Sequence, residues 1–136
     1  MRWGVSVMAA VALLALAGCG SEARDLFVVS RSGDVPGARL TLRVTDDGRV
    51  SCNGRSLVQI TSDQLITARE TERDLQKPAK ARLRLAPGRQ SVFSYRARTR
   101  DGTVAWSDDS RRQPPVLFVL AKLARDLAKG PCHLAR

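Results

Sequence analysis

The chain has little of what most catalytic and metal sites are built from. Its 136 residues include one histidine, His133, and three cysteines, Cys19, Cys52 and Cys132. A Ser–His–Asp triad would have to be assembled around a single imidazole in the C-terminal tail. No G-x-S-x-G, P-loop or paired-carboxylate spacing occurs. Asp46-Asp47 and Asp108-Asp109 sit in turn contexts, so they read as turn residues before calcium ligands. Aromatic residues make up 4% of the chain, and Tyr95 and Trp106 read as core rather than as a stacking platform. Acid is scarce as well: 13 Asp and Glu stand against 23 Lys and Arg, a formal charge of +10. These absences exclude an enzyme and a cofactor site, and leave a binding module or a structural protein. With 43% hydrophobic and 26% charged residues the chain is expected to fold, as one small domain.

No apolar run is long enough to span a bilayer, which takes roughly 20 residues. The longest, Val5 to Ala17, follows a short basic start at Arg2 and precedes small residues, the pattern of a secretory leader. Its end, Leu16-Ala17-Gly18-Cys19, resembles a bacterial lipobox. The resemblance implies cleavage between Gly18 and Cys19, a diacylglyceryl thioether on Cys19, and acylation of the new amine. Residues 1–18 are then a lipoprotein signal peptide, 19–25 a lipidated tether and 26–136 the folded domain. The expected location is the extracytoplasmic face of the cell membrane, held by the N-terminal lipid.

With Cys19 taken by lipid, an exported chain keeps Cys52 and Cys132, which read as one disulfide. A metal or redox site drawn from Cys52, Cys132 and His133 lacks CxxC and HxxxH spacing. Two free thiols are the remaining state.

Leu26 to Val29 is an apolar strand run, closed by turn signals at Ser32-Gly33-Asp34 and Pro36-Gly37. Leu40, Leu42 and Val44 then alternate with Arg39, Thr41, Arg43 and Thr45. Around Asp46-Asp47-Gly48, a two-residue turn would mix core and solvent faces. A three-residue loop pairs Val44 with Val50, Leu42 with Cys52 and Arg43 with Ser51, which keeps one face apolar and turns Cys52 inward. Thr61-Ser62-Asp63-Gln64 has the form of a capping box. The helix after it is expected to end near Gln76, stopped by Lys77-Pro78, and to be a lightly packed surface helix because Glu72 interrupts its Leu65, Ala68, Leu75 stripe.

A second hairpin, Val92 to Ser107, is expected to turn on Asp101-Gly102, pairing Arg100 with Thr103, Thr99 with Val104 and Ala97 with Trp106. One face carries Phe93, Tyr95, Ala97, Val104 and Trp106, and the other Arg96, Arg98 and Arg100. Pro114-Pro115 opens a last helix with an apolar stripe of Val116, Leu117, Leu120, Leu123, Ala124 and Leu127, and Gly130-Pro131 ends it. The expected fold is α+β in the order β-β-β-α-β-β-α, an antiparallel sheet of two hairpins plus an N-terminal strand with the C-terminal helix packed on it.

Between Gln76 and Arg100 the chain holds Lys77, Lys80, Arg82, Arg84, Arg89, Arg96, Arg98 and Arg100, and no acid. This run is the candidate patch for an anionic partner: lipid headgroups, a cell-wall polymer or an acidic protein surface. The competing reading is a solvated basic face that discourages edge-to-edge strand pairing. No groove-reading motif accompanies the charge, and an exported chain does not meet nucleic acid.

The stretch from Phe93 to Gly102, with its F-x-Y and D-G hairpin, the proline-opened stretch and the Leu-rich helix, resembles the C-terminal half of emfourin-type inhibitors of bacterial metallopeptidases. The Ser32-Gly33 to Gly48 segment is similar to their opening turn and hairpin. Ser91 stands where those proteins often have an acid before the Phe, and no inhibitory residue carries over. The resemblance implies a peptidase inhibitor as the alternative function. The whole chain also resembles small lipoproteins of high-GC bacteria, a likeness that brings no activity with it.

Overall fold

The computed structural model describes residues 20–134; the leader, Gly18 and Cys19 lie outside the described residues. Within them the elements are β1 (Asp25–Gly33), β2 (Leu40–Thr45), β3 (Arg49–Cys52), β4 (Val58–Gln59), α1 (Ser62–Lys80), β5 (Phe93–Thr99), β6 (Gly102–Ser107) and α2 (Pro115–Lys129). The strands form one antiparallel sheet in the order β4-β3-β2-β1-β5-β6, so the fold is α+β as expected, with the two-residue β4 added at one edge. None of the described helices is long and apolar enough to cross a membrane.

The first hairpin adopts the expected register, with Val44 opposite Val50 and Leu42 opposite Cys52. Gly48 sits at φ +83°, the left-handed conformation this loop requires. The second hairpin does not follow the expected register. It turns on Arg100-Asp101, pairing Thr99 with Gly102, Ala97 with Val104 and Tyr95 with Trp106. A slip of two residues leaves every side chain on its original face, so alternation cannot tell the two registers apart. Packing against α1 separates them. Gly102, at φ +146°, lies so close to α1 that a Cβ there would come within 2.3 Å of the Ala79 carbonyl oxygen. The observed register also stacks Tyr95 on Trp106, with centroids 5.1 Å apart.

Helix α1 starts at the expected capping box, in which Gln64 N donates to Thr61 Oγ1 and Thr61 N donates to Gln64 Oε1. It does not stop at Gln76 but runs through Pro78 to Lys80. Proline there forfeits one amide donor in the last turns, while Leu75 and Ala79, both fully buried, hold those turns against the core. Beyond the end, Leu83 N donates to Pro78 O and Arg82 N to Ala79 O, closing a Schellman-type cap with Arg82 at φ +52°. The helix is not lightly packed either, since Thr71 and Glu72 are buried with the apolar stripe.

Helix α2 begins after Pro114 as expected and buries its whole apolar stripe. One core joins Phe27, Val29, Leu42, Val44, Val50, Ala97 and Val104 of the sheet to Leu75 of α1 and Leu117, Leu120 and Leu127 of α2. Cys52 and Cys132 form a disulfide, Cα atoms 5.9 Å apart, which fastens the chain just after α2 to the end of β3. Among the described residues, every buried core residue lies between Leu26 and Cys132.

Candidate functional site

Because side chains alternate along a strand, residues that do not face the helices form a second, open face. The pairings set its rows. Thr41, Ser30, Arg96 and Ala105 are neighbours across β2, β1, β5 and β6, and Arg43, Val28, Arg98 and Thr103 form the next row. Beyond β6, Leu85 N donates to Ala105 O and Ala105 N to Leu83 O, a one-residue parallel bridge that aligns Arg84 with Ala105. Arg84 and Arg96 therefore flank Ala105, two strand spacings or roughly 10 Å apart at the backbone. Around them is an open groove of about 570 Å³ lined by Ser30, Ser32, Ser94, Ala105 and Ser107, with no carboxylate in its wall.

Small neighbours matter here. Ser and Ala leave both guanidiniums reachable by a planar oxyanion, and serine hydroxyls can donate to one. Neither Arg84 nor Arg96 has an ion-pair partner among the described residues, and Arg98 on the next row has none either.

The eight basic residues of the run are all exposed, but the fold divides them. Arg84, Arg96 and Arg98 share the open sheet face. Lys77, Lys80 and Arg82 lie at the end of α1, Arg100 at the β5–β6 turn, and Arg89 in a loop beside Arg111. The run is also not free of compensation. Lys80 reaches Asp101 at 3.8 Å, and Arg100 reaches Asp101 at 3.9 Å and Glu72 at 4.0 Å. Those acids come from outside the run in sequence and are brought to it by the hairpin and by α1.

Arg43 joins the open face although it lies outside the run, and the alternation from Arg39 to Thr45 already placed it opposite the core side. It is held by Asp25 at 3.1 Å, unlike the three arginines of the run on this face. The aspartate pairs have structural partners. Asp109 accepts from Gly88 N and Gln90 N at 2.8 Å each, Asp108 accepts from Val92 N, and Asp47 accepts from Arg49 and Thr45. His133 is exposed beside the disulfide.

No protein-family model, curated protein or solved structure matches the chain.

Proposed function

We propose that the chain is an exported lipoprotein, anchored through Cys19 at the outer face of the cell membrane, and that its domain is a non-catalytic binding module for an anionic partner. The observation that carries the binding part is the open sheet face, where Arg84 and Arg96 stand among Ser and Ala around a groove with no acid in its wall, and Arg98 lies on the next row beside Val28 and Thr103. The partner is recognised by its charge, as anionic lipid, a wall polymer or an acidic protein surface. The anchoring part rests on Leu16-Ala17-Gly18-Cys19 at the end of the apolar leader. The chain enters β1 through Glu22 to Arg24, which share a hollow with Asp25, Arg98 and Arg100, so basic groups stand near where a tether from Cys19 would join the domain.

Two measurements test this reading. Cys19→Ala, or globomycin treatment, should move the protein from the membrane to the soluble fraction; unchanged partitioning removes the anchor. Changing Arg84, Arg96 and Arg98 together to Ser should weaken binding of anionic vesicles. At about 1 kcal/mol per basic residue near a membrane, the loss is on the order of 100-fold at low salt. Binding that ignores both the substitutions and added salt refutes the electrostatic face.

A further inference from the structure

A second concavity lies under the far end of the sheet, between its helix-covered face and the flank of α2. Its volume is about 680 Å³. The floor is aromatic: Tyr95 is stacked on Trp106, and Phe93 meets Tyr95 edge-on with centroids 6.5 Å apart. The wall comes from one stripe of α2, in which Phe118, Lys122, Arg125 and Lys129 recur at helical spacing. Phe118 is 58% exposed, the largest exposure among the large hydrophobic residues described, and it stands outside the stripe that α2 buries in the core.

The charges around this cleft favour one sign of ligand. Arg31 donates to the carbonyls of Ala38 and Gly37, and its guanidinium lies 4.8 Å from the Phe93 ring centroid. Lys122 is paired with Asp126 at 2.6 Å, whereas Arg125 and Lys129 have no ion-pair partner among the described residues. The carboxylate of the cleft, Asp108, is engaged by the Val92 amide. An apolar interior with a cationic rim suits a flat apolar body that carries an anionic head.

We propose that this cleft is a binding site for a small aromatic anion, its ring held between Phe118 and Phe93 and its carboxylate or phosphate taken by Arg125 and Lys129. The site opens on the opposite side of the sheet from the basic groove, with Arg31, Tyr95 and Trp106 of the intervening strands in both linings. It also lies away from the tether: β1 begins at Asp25 beside the entering chain, and Arg31 is six residues further on, on the order of 20 Å along the strand.

The chain from Gly20 carries every described core residue and keeps Trp106 as its single tryptophan, the other being Trp3. Titrating this ¹⁵N-labelled chain with 2-naphthoate should shift the Trp106 indole N–H and the amides from Phe118 to Lys129 saturably. The same ring carrying an ammonium, 2-naphthylmethylamine, should bind at least tenfold more weakly, and acetate should leave these signals in place. Arg125→Gln with Lys129→Gln should cost about tenfold in naphthoate affinity, and Phe118→Ala a similar factor. All three residues are exposed, so the remaining spectrum reports that the fold is kept. Equal binding of the amine, shifts confined to other surfaces, no saturable shift, or indifference to the substitutions each overturns the site. The Arg84, Arg96 and Arg98 variant should leave naphthoate binding unchanged, which separates this site from the open face.

Discussion

Arg24 and Glu72 are unequal partners, and removing one should not cost the same as removing the other. Arg24 Nη1 donates to Glu72 Oε1 at 2.6 Å, and Nη2 lies 3.4 Å from Oε2. The Glu72 side chain is 10% exposed and that of Arg24 is 45% exposed. The bond to Glu72 holds the Arg24 guanidinium above its ordinary pKa, so Arg24 stays charged throughout. In Arg24→Met the carboxylate stays in α1 with Arg100 at 4.0 Å as its nearest remaining cation. Leaving a buried acceptor unpaired costs about 1–3 kcal/mol, and water entering where Arg24 was argues for the middle of that range. In Glu72→Met the Arg24 guanidinium keeps Asp46 at 3.6 Å and an apolar side chain fills the buried position, a change expected to cost under about 1 kcal/mol. For a urea slope near 2 kcal/mol/M, Arg24→Met should lower the unfolding midpoint by about 1 M and Glu72→Met by less than half that. The double variant should be no worse than Arg24→Met alone, because the buried charge has gone. Equal midpoints for the two single variants would refute the reasoning, since they would mean that burial of Glu72 has no energetic consequence.

Cys52→Ala with Cys132→Ala should lose about 4 kcal/mol in urea unfolding, the chain-entropy figure for a closed loop with 80 residues of separation. Arg82→Gly should raise the unfolding free energy by up to about 1 kcal/mol, because glycine takes the positive φ at the end of α1 without penalty. Gly102→Ala should lower it by about 2 kcal/mol or more, because its Cβ meets the Ala79 carbonyl. Asp47 is held below its ordinary pKa of 3.8, first by hydrogen bonding from Arg49 and then from Thr45. A depressed folded pKa contributes stability above the unfolded value that is lost as pH falls through the folded one. Unfolding followed below about pH 4 should therefore show a shallower decline in Asp47→Asn than in the parent.

How far the sequence specified the fold depended on whether an error would have been visible in it. At the first hairpin the two loop lengths in contention differ by a slip of one residue, which exposes Val44 and buries Arg43, so the pattern decides between them, and the register it favours is the one found. At the second hairpin a slip of two exposes nothing, and the choice lay with the contact between Gly102 and Ala79, residues 23 apart. Pro78 reads locally as a stop. The burial of Ala79 just beyond it is a tertiary fact that no local rule contains. Glu72 looked like a break in an apolar stripe because its partner, Arg24, is 48 residues away. The open face was half visible: alternation separated Arg96 and Arg98 from the core, but the bridge that carries Arg84 beside Ala105 has no signature in the segment around it.

The bond between Cys52 and Cys132 also bears on what a protease can do to the chain. The segment from Ala81 to Val92 is largely exposed and contains Arg82, Arg84 and Arg89, an inviting substrate for trypsin-like enzymes. A cut there falls inside the span the sulfurs enclose, so both pieces remain one covalent object, with sheet and helices still clasped. Such a nicked molecule would migrate as two fragments only after reduction.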